Sequence, residues 1–296
     1  MNRKTRKIII ILVELAVIIA LFVYFGFIIA KDYDKFADTI SRITIPFFCG
    51  LILIQFAKHG VGSLEWLVLL RQAGSRKSFF TLFTARLTGF AISYLTPSLY
   101  LGGEPARAAV LNDSTISYKK ALFLFLLIKL FRDKAFIHNF FRIILRPVLK
   151  FRPRFAVKVM LVVKEFQSDI STIIKEKKAF YLASGIGFLI SLIEVFQSYY
   201  IISFLYPTGY SPSMILIFAF IIYFSSLIFS LIPYPTPGGL GPVEGIYVIF
   251  FILFGMQRAD GLLYSLLLRM GQSVSIGLGL VNLFLRRVFK KRDKTV

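Results

Sequence analysis

The chain is poor in the residues that most chemistry requires. It holds two histidines, one tryptophan and one cysteine, and its 15 acidic residues are outnumbered by 36 Lys and Arg. A lone cysteine excludes an intramolecular disulfide, and without a CxxC or Cys/His cluster there is no zinc site to expect. Cys49 sits in an apolar run and reads as a small buried hydrophobe. With only His59 and His138, no His-rich metal motif, no Ser/His arrangement and no paired carboxylates with metal-binding neighbours can be assembled. No catalytic residue, cofactor or metal is therefore expected, and the chain does not read as an enzyme.

What the chain has in excess is apolar surface. Of 296 residues 57% are hydrophobic and 17% charged, 33 are Phe, and the mean hydropathy is +0.74. Soluble domains average about 45–50% apolar and about 25% charged. A bilayer accommodates the surplus, since its core takes stretches of roughly 20 apolar residues as helices. The expected class is all-α, a polytopic transmembrane helix bundle.

The net charge of +21 would suit a nucleic-acid binder, but the basic residues fall at the ends of apolar runs, so no nucleic-acid partner is expected. Apolar runs cover Ile8–Ala30, Ile43–Leu70, Phe79–Thr96, Ala121–Phe131, Ala179–Tyr206, Met214–Ile232, Ile246–Gly255 and Gly261–Leu285. The first is too long for a signal peptide and is followed by no small-residue cleavage site, so it reads as a retained span. Lys and Arg number 25 in the N-terminus, 71–78, 132–178 and the C-terminus, against 7 in the alternate segments. That bias predicts about eight crossings with both termini cytoplasmic. The chain then reads as one membrane domain, 1–296. Its first half is 1–131, a basic segment follows at 132–178, and the second half is 179–296. The basic segment suits either helices on an anionic membrane surface or an ordinary cytoplasmic loop.

Two interruptions, 97–113 and 233–245, resemble each other. The first reads Thr96-Pro-Ser-Leu-Tyr-Leu-Gly-Gly-Glu-Pro-Ala-Arg107, and the second Pro235-Thr-Pro-Gly-Gly-Leu-Gly-Pro-Val-Glu-Gly245. Gly followed by Pro is helix-start chemistry, which places helix beginnings near Pro105 and Pro242. By the topology above the two breaks are oppositely oriented. Such breaks in two inverted halves point to re-entrant segments and a transporter-type site near the midplane. Helix N-termini present unpaired N–H groups that favour phosphate or carboxylate. Arg107 and Arg269 add planar cations suited to phosphate. Glu104 and Glu244 could pair with these arginines, carry a coupling proton, or only fix the loops. Arg86 could line a cavity or snorkel, and Asp133 could do so or pair with Arg132 and Lys134. Glu194 and Gln197 share a helix face and could line the cavity or bond a neighbouring helix. His59 and Glu65 read as snorkelling residues.

The elements Thr96-Pro…Gly-Gly-Glu-Pro-x-Arg, Pro235-Thr-Pro-Gly-Gly-Leu-Gly-x-x-Glu and Leu-Leu-x-Arg269 resemble the lysylphosphatidylglycerol synthase transmembrane-region family, also called flippase-like. The resemblance covers about residues 5 to 290. It implies an all-helical bundle with re-entrant segments, membrane lipids (anionic ones) as partners, and residence in the cell membrane. Carried over by motif, Gly102, Gly103, Glu104, Arg107, Pro237, Gly238, Gly239, Glu244 and Arg269 would line the lipid site. The full-length synthases also have a cytoplasmic domain that transfers lysine from a charged tRNA. Here the sequence ends eleven residues after Leu285, so lysyl transfer is not expected from this polypeptide alone. Three functions stay open: a flippase for an anionic phospholipid or lipid-linked sugar, a head-group transferase, or a non-catalytic subunit that positions a lipid-modifying enzyme.

Overall fold

The structure is a computed structural model that describes residues 23–72, 76–96, 103–111, 177–229 and 236–292. Residues 23–31 are helical. They are followed by α1 (Tyr33–Ser41), α2 (Ile45–Gln72), α3 (Phe79–Leu95), α4 (Gly103–Leu111), α5 (Lys177–Leu205), α6 (Pro212–Phe229), a 3-10 turn (Pro237–Gly239), α7 (Pro242–Leu253) and α8 (Arg258–Arg292). No strand occurs among the described residues. Among the described residues four helices are long and apolar enough to cross a membrane, over Ile45–Arg71, Tyr181–Leu205, Pro212–Phe229 and Arg258–Leu285; Phe79–Leu95 and Pro242–Leu253 are shorter apolar helices. Residues 8–22 of the first expected span Ile8–Ala30, the expected span 121–131, and residues 132–176 of the basic segment with Asp133 lie outside the described residues.

Local chemistry sets the helix ends. Thr44, Ser78 and Ser211 accept backbone N–H bonds from Phe47, Thr81 and Met214 at 3.4, 3.3 and 3.3 Å, so α2, α3 and α6 each begin on a hydroxyl cap. Helix α7 closes at Gly255, whose φ of 74° is left-handed; there Met256 N–H bonds Phe251 carbonyl at 2.8 Å, the reversal that glycine permits. The polar stretch 31–42 contains the short helix α1.

The described chain falls into two compact units. One draws on Met1–Lys58, Leu87–Gly103 and Leu192–Val296, the other on His59–Arg86 and Glu104–Ser191. In the first unit Leu51, Ile201, Ile222, Phe251 and Tyr264 belong to one buried cluster. Phe47 stacks on Tyr200 and Phe204, with centroids 5.0 and 3.9 Å apart, which joins α2 to α5. Helix α1 is held to the start of α8: Asp260, almost fully buried, accepts from Tyr206 hydroxyl and pairs with Lys35, while Lys35 Nζ donates to Gln257 Oε1 at 2.9 Å. Burial, then the bond to Asp260, raises the Tyr206 phenol well above its ordinary value. Large apolar side chains such as Ile45, Leu53, Phe188 and Phe284 are exposed, as expected of helix faces turned to hydrocarbon.

Two expectations about single residues fail. Cys49 is exposed, not buried, because its position on α2 falls on an outward face. His59 is 3% exposed, so it lies inside the protein instead of snorkelling.

Candidate functional site

In the first unit the second Gly/Pro break is fastened to α8. Gly238, Gly239 and Gly241 have φ of 59°, 65° and 96°, so the chain passes through left-handed conformations before Pro242 opens α7. Glu244, in the first turn, accepts the Gly241 N–H on Oε2 at 2.7 Å. Its Oε1 accepts from Ser265 Oγ at 3.0 Å, from Arg269 Nε at 2.6 Å and from Arg269 Nη2 at 2.5 Å. Arg269 continues the network by donating from Nη1 to Tyr94 hydroxyl and from Nη2 to Gly238 carbonyl at 3.3 Å. Its guanidinium carbon also lies 5.5 Å from the Tyr94 ring centroid. A Cβ at Gly238 would meet that ring at 3.0 Å. The sequence-predicted Gly238, Glu244 and Arg269 thus come together, joined by Tyr94 and Ser265. Those two were missed: nothing in the surroundings of Tyr94 on α3 marks a hydroxyl that will face an arginine of α8, and a serine one turn before Arg269 gives no sign that it will bond Glu244 of α7.

At each of the two helix starts one backbone N–H has a side-chain partner. Gly241 N–H is taken by Glu244, and Gly103 N–H donates to the buried Ser93 Oγ at 2.9 Å. The sequence-predicted helix starts themselves are close: α4 begins at Gly103 and α7 at Pro242. Gly102 and the side chains of Glu104 and Pro237 lie outside the described residues.

In the second unit Trp66, 3% exposed, carries two guanidinium groups. Arg86 lies 5.0 Å and Arg107 5.1 Å from its ring centroid, within cation–π range. Arg86 Nη1 donates to Gly62 carbonyl at 3.2 Å, and a Cβ at Gly62 would collide with that guanidinium. Arg86 therefore docks on α2 through a glycine notch. Trp66 was not singled out from sequence, since an indole in an apolar helix gives no hint of which cation will find it.

Glu194 and Gln197 belong to the first unit. Glu194 forms an ion pair with Lys58 at 3.7 Å, and Gln197 is 2% exposed. Among the described residues no group of three or more His, Cys, Asp or Glu is placed to hold a metal.

An all-helical chain with several spans, and an arginine–glutamate pair anchoring a Gly/Pro break to one of them, defines a multi-pass integral membrane protein. A model of the lysylphosphatidylglycerol synthase TM region matches residues 11–136 and 122–278, and the chain belongs to that family. A UPF0104 membrane protein of Methanothermobacter thermautotrophicus is 23% identical over 273 residues, covering 74% of this chain and 79% of the relative. No solved structure matches.

Proposed function

We propose that the protein binds an anionic phospholipid or lipid-linked sugar and moves it between leaflets, without catalysing a reaction on it. The single observation that carries this reading is Arg269, held within a membrane-spanning helix against the Gly238–Glu244 break. An ionisable group at membrane depth is costly, and such groups usually mark a substrate route. A helix broken by Gly and Pro at that depth is tolerated only inside protein or along a cavity. Arg107 in the other unit supplies a second cation of the type that recognises phosphate. Family membership supports a lipid-related role. In this reading about eight crossings place both termini in the cytoplasm of a cell membrane, the two breaks are re-entrant, and the halves are inverted repeats. Gly102, Gly103, Glu104 and Arg107, and separately Pro237, Gly238, Gly239, Glu244 and Arg269, line the lipid site.

The test is transbilayer movement of a labelled anionic lipid in liposomes holding the purified protein. Movement above protein-free liposomes that Arg107→Ala and Arg269→Ala both abolish is the expected result. Movement that survives both substitutions would place the route elsewhere, and no movement with any headgroup would refute translocation.

A further inference from the structure

The last turn of α3 serves two partners. Successive residues of an α-helix project about 100° apart, so Ser93 and Tyr94 leave that turn on different faces. Tyr94 meets the second break. Its hydroxyl accepts from Arg269 Nη1, its ring centroid lies 5.5 Å from that guanidinium, and a Cβ at Gly238 would press on the ring at 3.0 Å. Ser93, 3% exposed, meets the end of the first. Its Oγ accepts the N–H of Gly103, where α4 begins, at 2.9 Å. One turn earlier on α3, the Gly89 carbonyl lies so close that a Cβ at Gly103 would collide with it. Backbone meets backbone there, with no side chain between to absorb a displacement.

The body of α3 is anchored as well. Asn282 Nδ2 of α8 donates to Thr88 Oγ1 at 2.6 Å, and a Cβ at Gly279 would meet Ala91 Cβ at 2.8 Å. Small residues let membrane helices approach this closely. Interiors packed so tightly have low compressibility and pass strain on. The part of α3 with freedom to change is its last turn, since helix ends fray unless something holds them.

We propose that Tyr94 is a positioning residue that ties the second break to the first, so that release of Arg269 from Tyr94 is felt at the start of α4. This goes beyond translocation and holds whatever the protein binds. Two arrangements of one element give the coupling its physical content. With Arg269 bonded to Tyr94, the cation and Gly238 together hold the last turn of α3, and Ser93 with it. With Arg269 turned away, only the packing of the ring on Gly238 remains, and the Ser93–Gly103 bond loses its support.

Hydrogen–deuterium exchange of the purified full chain in detergent micelles, read by mass spectrometry, tests the tie. The regions followed are α4 (Gly103–Leu111), α7 (Pro242–Leu253) and, as reference, α6 (Pro212–Phe229). Tyr94→Phe keeps the ring and removes the hydroxyl. It should speed exchange in α4 by roughly tenfold, the equivalent of about 1.4 kcal/mol for one hydrogen bond to a charged group. Arg269→Met should speed α4 by the same factor in the parent and by no further factor once Tyr94→Phe is present. Coupling is reciprocal, so Ser93→Ala, which frees the Gly103 N–H, should speed α7 as well as α4. Exchange in α6 should keep the parent rate throughout. Parent rates in α4 of Tyr94→Phe would overturn the proposal, because a ring that only packs does not depend on its hydroxyl. An Arg269→Met effect on α4 that persists undiminished beside Tyr94→Phe would do the same, as would a Ser93→Ala variant with parent rates in α7. An equal rise in α6 would mark general loosening and overturn a specific tie.

Discussion

The Glu244–Arg269 pair holds the second break to α8, and Glu244→Gln tests that role. The substitution keeps volume and removes charge. Three donors, Ser265 Oγ, Arg269 Nε and Arg269 Nη2, converge on Oε1, and Gly241 N–H donates to Oε2. A Gln oxygen still accepts from Arg269, but its NH2 then faces a donor, either Gly241 N–H or the guanidinium. The side chains are 11% and 18% exposed, so solvent relieves little of this. Breaking one member of a buried pair costs about 3–5 kcal/mol, and the retained acceptor places this variant near about 3 kcal/mol. Arg269→Met leaves Glu244 with Ser265 and Gly241 and should cost about 2–3 kcal/mol. In the double variant the uncompensated charge is gone, so a coupling energy of about 2 kcal/mol is expected. Unfolding in mixed detergent micelles, followed by circular dichroism, gives all four corners of the cycle. Costs that add to within about 0.5 kcal/mol would show that the two residues do not depend on each other, and the clamp would be refuted.

Gly238→Ala should lower stability by about 1–2 kcal/mol in the same unfolding assay, because its φ of 59° disfavours a Cβ that would also press on Tyr94; an unchanged transition would mean that the break is not held in this conformation. Trp66 is the only tryptophan, so its fluorescence reports on the one ring against which both Arg86 and Arg107 lie. Arg107→Leu should alter its emission spectrum and cost about 1 kcal/mol, and an unaltered spectrum would count against the contact. The raised Tyr206 titration makes a pH prediction: the folded state keeps this proton to higher pH than the unfolded chain does. Its contribution is complete below the ordinary tyrosine value of about 10 and declines above it, so Tyr206→Phe should flatten the alkaline fall in stability.

Helices were legible from the sequence because a bilayer demands long apolar runs, and Ile45–Gln72 and Lys177–Leu205 begin within two residues of the runs read there. The start of α7 at Pro242 was legible for a different reason: Gly then Pro has one favoured use at that point. Side-chain partners were not. Lys58 could have snorkelled, and only the antiparallel packing of α2 and α5 brings it to Glu194. Cys49 was misjudged for the same reason, since α2 is apolar on every side and its sequence holds no stripe that tells the lipid face from the protein face. In water that distinction is written in polarity; in a membrane it is written in packing.

That packing makes one functional demand on the proposed site. Arg269 already has Glu244 as its anion, so a lipid phosphate that reaches it must compete with a carboxylate held at 2.5–2.6 Å. Glu244→Gln removes the competitor while leaving the cation in place. If Arg269 is a headgroup contact, the variant should be less stable on its own yet bind anionic lipid more tightly, by tenfold for every 1.4 kcal/mol of competition removed. Added lipid should then restore stability in proportion to RT ln(1 + [L]/Kd), so the gap to the parent narrows as lipid is raised. A purely structural pair predicts the opposite, with a loosened break, affinity unchanged or lower, and a gap that lipid does not close. Thermal unfolding across a series of phosphatidylinositol concentrations separates the two, and an unclosed gap would remove Arg269 from the lipid route while leaving the clamp intact.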